Sequence, residues 1–136
     1  MPVLGIRMNK LEASRNPTVV PEGPIRIAPS QRILDIKENQ INSVSGKAKV
    51  IEIDFEFNVI YDPPVGDIRL NGTVIYQATE DIRKKIIKTW KDKKRIAPEV
   101  EKEIIANLTS RAFLIAMNCA REIGVPSPMP FSFSEK

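Results

Sequence analysis

One segment, from Ala106 to Phe133, restricts the fold of this chain more than any other. The segment starts as an amphipathic helix that becomes apolar almost all the way round over residues 112–117. The helix ends at Gly124, and a proline-spaced tail follows. A second apolar face of this helix carries Phe113, Met117 and Ala120. The main apolar stripe on the helical wheel consists of Ile104, Ile105, Leu108, Ala112, Ile115, Cys119 and Ile123.

A helix that is apolar on two faces has to be buried on two faces. One face can pack on the chain's own sheet, and a second copy is the simplest cover for the other. Full burial of Phe113, Leu114 and Met117 stabilises the folded state by roughly 1.5–3 kcal/mol per side chain. The whole unfolding free energy of a small domain is only ~5–15 kcal/mol. We therefore expect these three residues at the interface of a homo-oligomer. A core helix in a larger single-chain fold is disfavoured, because the chain has 136 residues.

Four strands are predicted before the helices. Residues 47–61 alternate most clearly, with six apolar residues from Ile51 to Tyr61 on one face and acids on the other, as in an antiparallel sheet with one dry face. Further strands are predicted over 3–15, 31–42 and 68–78, with a turn over 62–67. Prolines at 17, 21, 24 and 29 exclude a regular strand or helix from residues 16–30, which we interpret as an extended apolar crossover.

Two helices should follow the strands. Thr79 is a good N-cap for a short basic helix over 80–94, whose apolar side carries Ile86, Ile87 and Trp90. Pro98 suits the first turn of the long helix and Gly124 its end. The predicted fold class is α+β: a four-stranded antiparallel sheet with a proline-rich crossover after strand 1, packed by a long C-terminal helix.

The composition is that of a soluble single domain with one cysteine, Cys119, which we expect to be an inert core residue. No apolar run approaches the ~20 residues of a membrane span, and the opening Met1-Pro2-Val3 is not typical of a signal peptide. The expectation is a cytoplasmic protein without membrane insertion.

The chemistry of the chain argues against an enzyme. There is no histidine, which excludes histidine-based acid–base catalysis and imidazole metal sites, and no glycine-rich phosphate loop. Glu52, Asp54 and Glu56 have ligand chemistry for a hard cation, but alternating acids on a strand are typical of a solvated face. We expect no catalytic residue, no metal and no cofactor.

A basic segment, residues 83–95, holds eight of the 21 lysines and arginines. It has two interpretations: a footprint for phosphate backbones, or the solvated face of a surface helix whose lysine stems cover apolar neighbours. Its single aromatic residue, Trp90, lies on the apolar stripe and not among the basic residues, which favours the solvated face.

The crossover also allows two interpretations. Val19, Val20, Ile25 and Ile27 either tuck over the core or form one wall of an apolar groove for extended polypeptide. Composition does not decide between them.

The order of these parts resembles the SecB-type export chaperones and the wider SecB-like family. Members carry a similar asparagine, an apolar helix, an Ala-Arg-Glu or Leu-Arg-Glu element and a closing Pro-x-x-Phe stretch, and a comparable proline-rich crossover. The matching elements here are Asn107, the run 112–117, Ala120-Arg121-Glu122-Ile123 and Pro128-Met129-Pro130-Phe131.

The resemblance implies a tetrameric, ATP-independent holdase, a dimer of dimers that binds unfolded polypeptides in apolar grooves. The groove would be lined by Val19, Val20, Ile25 and Ile27, and the long helices would pack between subunit sheets. Family members dock an export motor through acidic sheet residues, which makes Glu52, Asp54 and Glu56 candidates for docking a partner.

Three features depart from the family pattern: the chain is basic, it lacks an acidic C-terminal helix, and residues 79–96 look like a basic helical insertion. We predict one domain over 1–136, with a proline-rich apolar tail over 125–136. Coupling to an export motor, a role as a general holdase and a link to a toxin–antitoxin system all stay open. Two other hypotheses are a nucleic-acid-associated protein using residues 83–95, and a SecB-like scaffold with one dedicated protein partner.

Overall fold

Four antiparallel strands come first in the chain and two helices follow, in a computed structural model that describes residues 3–44 and 46–128. The strand order is β1-β4-β3-β2, so that β1 and β2 form the two edges of the sheet. The predicted α+β class is confirmed. The elements are β1 (Val3–Arg15), β2 (Arg26–Ser43), β3 (Gly46–Asp62), β4 (Gly66–Tyr76), α1 (Glu80–Lys93) and α2 (Pro98–Ile123).

The core lies between the helices and the dry face of β3 and β4. All six alternating residues of β3 from Ile51 to Tyr61 are buried, as are Ile68, Leu70 and Val74 of β4. Gly72 lies on the same face, opposite Phe55 in the register. A Cβ atom at Gly72 would lie 2.7 Å from the Phe55 ring, so the missing side chain leaves room for that ring.

Local signals place both helices correctly. The Thr79 hydroxyl accepts a hydrogen bond from the Ile82 amide at 3.5 Å, which caps α1, and Gly124 ends α2 at φ 76°. Neither helix combines the length and apolarity that a membrane crossing requires.

The sequence places the start of the second strand too late. β2 begins at Arg26 instead of near residue 31, so Ile27 and Pro29 belong to the strand and not to the crossover. Pro29 pairs with Val59. An edge strand accepts proline because the nitrogen without a hydrogen can face away from the ladder. The fourth strand similarly spans 66–76 instead of 68–78.

The buried stripe of α2 also differs from the predicted one. The fully covered residues follow an i, i+4 line of Ile104, Leu108, Ala112, Ala116 and Ala120. This line winds slowly around the helix, as expected for a straight helix crossing a twisted sheet. Ala120 therefore belongs to the sheet side and not to the second face.

Cys119 is half-buried and is not a core residue. Partial burial raises the pKa of its thiol, which keeps it in the unreactive protonated form.

Candidate functional site

The crossover is held at its start by Asn16. The Asn16 amide donates to the Val65 carbonyl at 2.8 Å, and the Asn16 side-chain oxygen accepts from the Thr18 hydroxyl at 2.7 Å. This turn directs Val19 towards the core and leaves Val20 78% exposed.

A small cleft of about 140 Å³ separates the crossover from the chain that follows α2. The crossover contributes Val19, Pro21 and Ile25 to its apolar lining, and the rest comes from Val65, Val125 and Pro126. Since drug-sized ligands occupy roughly 300–1,000 Å³, this cleft has room for little more than one side chain. Ile27 does not line the cleft; it lies half-buried in β2, opposite Tyr61.

The chain after α2 is fixed by a buried tyrosine. The Tyr61 hydroxyl donates to the Pro126 carbonyl at 2.6 Å, and burial raises the pKa of Tyr61 to about 12. The tail that resembles the family's closing stretch continues through Met129, Pro130 and Phe131, which lie outside the described residues.

The outward side of α2 retains the apolar residues that the sequence assigned to an oligomer interface. Leu114 is 59% exposed, and Phe113 and Met117 are half-buried. Phe113 has an intramolecular partner: its ring meets Phe57 edge-on, with the centroids 5.2 Å apart. Of these three residues, Leu114 and part of Met117 thus stay exposed.

Sequence reasoning missed several other exposed apolar side chains. Leu11 belongs to the dry side of β1, opposite Leu70, yet is 54% exposed because α2 leaves this sheet edge partly uncovered. Leu11 falls in the strand predicted over 3–15, but a sequence carries no local signal for exposure at a sheet edge. Five further large apolar side chains are exposed elsewhere: Leu4 in β1, Leu34 in β2, Val44 in the turn after β2, Ile60 in β3 and Ile82 in α1.

The acidic row on the opposite face of the sheet is partnered within the chain. Glu52 is only 7% exposed, since Arg7 at 3.2 Å and Asn39 at 3.1 Å both hydrogen-bond its Oε2, and Lys37 lies 3.9 Å from Oε1. Glu52 was expected on a solvated face; cross-strand neighbours cover it instead.

The other two acids have partners as well. The Asp54 carboxylate accepts from the Thr73 hydroxyl at 2.8 Å, and Glu56 accepts from Arg32 at 3.1 Å and from Asn58 at 3.2 Å. A molecule that docks on these carboxylates therefore competes with hydrogen-bond donors of the chain itself. No group of three or more metal-ligating side chains occurs in the part of the chain that the structure describes.

The basic segment 83–95 is divided between internal and surface roles. The Arg83 side chain is 13% exposed, and it donates to Glu38 at 3.1 Å and to the Ala78 carbonyl at 2.6 Å. Lys94 lies over the Trp90 ring at 5.3 Å. Arg83 and Lys94 therefore have partners within the chain, whereas Lys85, Lys88, Lys91 and Lys93 of α1 form no ion pair with a described residue.

Comparison with known proteins gives one structural likeness. No family model matches the sequence. No curated protein matches it either. A solved SecB-like chaperone of Mycobacterium tuberculosis, Rv1957 in complex with a ChAD peptide from the antitoxin HigA1, matches 98% of this chain and 91% of its own, with 10% identity and a TM-score of 0.49. The matched protein is described as SecB-like, and the sequence resembles the same family. At this score the likeness carries no functional argument.

Proposed function

We propose that this chain is a non-enzymatic chaperone that holds non-native polypeptides on apolar surfaces. The observation that carries the proposal is the exposure of Val20, Leu11 and Leu114 at three margins of the fold: the crossover, the β1 edge and the outward side of α2. Single exposed apolar residues are ordinary, but large ones at every uncovered margin are typical of interaction surfaces.

The energetics suit reversible holding. Covering one half-exposed leucine or valine contributes about 1 kcal/mol, roughly half of full burial. Several such contacts made together hold a client, and each breaks easily by itself. Release then needs no nucleotide, which agrees with a chain that has no phosphate-binding loop.

Assembly is the second part of the proposal. Leu114 and Met117 are covered most simply by α2 of another copy, and Phe113 contributes its outer edge. A dimer of dimers would bury this side of the helix and leave the crossover residues Val19, Val20 and Ile25 for clients, with Ile27 beside them in β2.

The acidic row makes a link to an export motor less favourable than a general holdase role or a toxin–antitoxin link. Docking on Glu52 would require a partner to displace Arg7 and Asn39, and docking on Glu56 would require it to displace Arg32. Such a partner exchanges one set of polar contacts for another, so its docking gains little net free energy. A general holdase, or one tied to a toxin–antitoxin pair, needs no such displacement.

The client test is suppression of aggregation without nucleotide. A stoichiometric amount of the protein should reduce light scattering by a reduced, unfolding client. Val20→Ser should weaken the effect because it removes the most exposed crossover side chain, and Thr18→Ser, an exposed polar change in the same loop, should not. Unchanged scattering with the wild-type protein would contradict the holdase function.

The assembly test is light scattering coupled to size exclusion. We expect a mass several times that of one chain at micromolar concentration. Leu114→Glu should lower the mass because a carboxylate cannot be buried without a partner. Leu114→Met, which keeps an apolar side chain, should preserve it. A wild-type mass of one chain would contradict the proposed assembly.

A further inference from the structure

The cleft between α1 and the edge strand β2 has a volume of about 590 Å³ and belongs to none of the surfaces described above. Its apolar lining comes from Ile36 of β2 and Ile87 of α1. Its rim carries Lys84, Lys88 and Lys91 from α1. The volume lies within the usual range for ligand sites, roughly 300–1,000 Å³.

We infer that this cleft docks an extended acidic peptide, in which carboxylates alternate with apolar side chains. The inference is independent of the proposed chaperone role, because it concerns a different surface and a different kind of contact.

Charge is the first argument. Lys37 adds a fourth lysine to the cleft, and two carboxylates, Glu38 and Asp92, oppose them. Glu38 is already engaged by Arg83 at 3.1 Å, outside the lining. Lys84 is paired with Glu80 at 3.2 Å, and Lys37 lies 3.9 Å from Glu52. Lys88 and Lys91 form no ion pair with any residue that the structure describes, so the charges of these two are available to an anionic partner.

Spacing is the second argument. Lys84, Lys88 and Lys91 lie on one side of α1, about 6 Å and about 4.5 Å apart along its axis. Side chains on one face of an extended peptide repeat about every 6.6 Å. A peptide with acids at alternate positions can therefore place successive carboxylates near successive lysines, while the residues between them turn towards Ile36 and Ile87.

The position of β2 is the third argument. β2 has one neighbour in the sheet, β3, and so presents an edge along which an extended chain can lie. Nucleic acid suits the cleft less well, because its lining contains no aromatic side chain for base stacking.

The experiment uses the full chain and a fluorescein-labelled synthetic peptide of about ten residues, alternating Asp and Leu, read by fluorescence anisotropy. Lys88→Glu with Lys91→Glu should weaken binding about tenfold or more, since each reversal replaces an attraction by a repulsion. Lys85→Glu with Lys93→Glu is the matched control: it makes the same charge change on the same helix, including one last-turn lysine, but outside the cleft. The control should weaken binding far less.

Further variants and a second peptide distinguish binding in the cleft from a general effect of charge. Lys88→Arg with Lys91→Arg should keep binding, and a peptide with Ser in place of Leu should bind much more weakly because the apolar floor is then unfilled. Circular dichroism establishes that each variant folds, and Ile87→Ser gives a second cleft variant if the charge reversals do not fold.

Three results would overturn the inference. Equal loss in both charge-reversal variants would assign binding to the net charge of the protein. Equal binding of the Ser peptide would remove the apolar floor from the site. Cleft-dependent binding of a short RNA without binding of the acidic peptide would make the cleft a nucleic-acid site.

Discussion

The two helices pack on the same face of the sheet but distribute their side chains in opposite ways. α1 places its large residues, Ile86 and Trp90, in the core and its lysines outside. α2 ends its buried line with three alanines and keeps Leu114 outside. Small residues let α2 approach the sheet closely, so its larger apolar residues lie on its flanks.

This difference gives the helices different surfaces. The outer side of α1 is charged and suits a partner that carries opposite charge. The outer side of α2 exposes Leu114 among polar residues, with Met117 half-buried nearby, and this apolar spot suits a client or a second copy.

Trp90→Ala should cost about 3–5 kcal/mol of unfolding free energy, because α1 fixes itself to the core through this side chain, which is 8% exposed. Trp90→Phe should cost less than about 1.5 kcal/mol, since the indole Nε1 has no hydrogen-bond partner among the described residues. Guanidinium unfolding followed by far-ultraviolet circular dichroism measures both. A loss below about 1 kcal/mol for Trp90→Ala would show that α1 is not held through its core side.

Tyr61 should make the protein less stable at high pH. Its pKa is about 12 in the fold against an ordinary value of 10, so the folded state favours the protonated hydroxyl. The resulting stability is fully present below pH 10 and is lost as the pH rises to about 12. At ~1.4 kcal/mol per unit, the loss amounts to about 2–3 kcal/mol.

Tyr61→Phe is the control for this titration. It removes the hydrogen bond to Pro126, at a cost of about 1 kcal/mol near neutral pH, but it should lack the alkaline loss. The stability advantage of the wild-type protein should therefore shrink and reverse in urea unfolding between pH 8 and pH 12. Parallel pH curves would contradict a buried Tyr61 hydroxyl.

Ala112→Leu should cost about 1–3 kcal/mol, because a larger side chain forces α2 away from the sheet. Ala106→Leu, an exposed position on the same helix, should change stability by less than about 0.5 kcal/mol. Thermal unfolding of the pair gives the comparison. Equal effects would mean that the alanine line does not set the helix–sheet distance.

Leu114→Ala should have the smallest effect on the isolated chain, within about 0.5 kcal/mol, because the side chain is mostly exposed. If α2 is an interface, the difference from the wild-type Tm should grow with protein concentration, since association stabilises the folded chain. A difference that does not change with concentration would count against assembly through this helix.

The sequence determined the elements whose signals are local. Strict alternation from Ile51 to Tyr61 specified a dry face, and Thr79 and Gly124 specified helix ends, because these patterns depend on side-chain period and capping within a few residues. The α+β class followed from their order.

The tertiary structure decided everything that depends on neighbours distant in sequence. β2 includes Pro29 because it is an edge strand, and Glu52 is buried because Arg7 and Asn39 of other strands reach it. The line of α2 that meets the sheet follows the crossing of a helix over a twisted surface. The α1–β2 cleft exists only because the two elements pack together. Periodicity fixes which way a side chain points along its own element, but what it then meets is set by long-range packing.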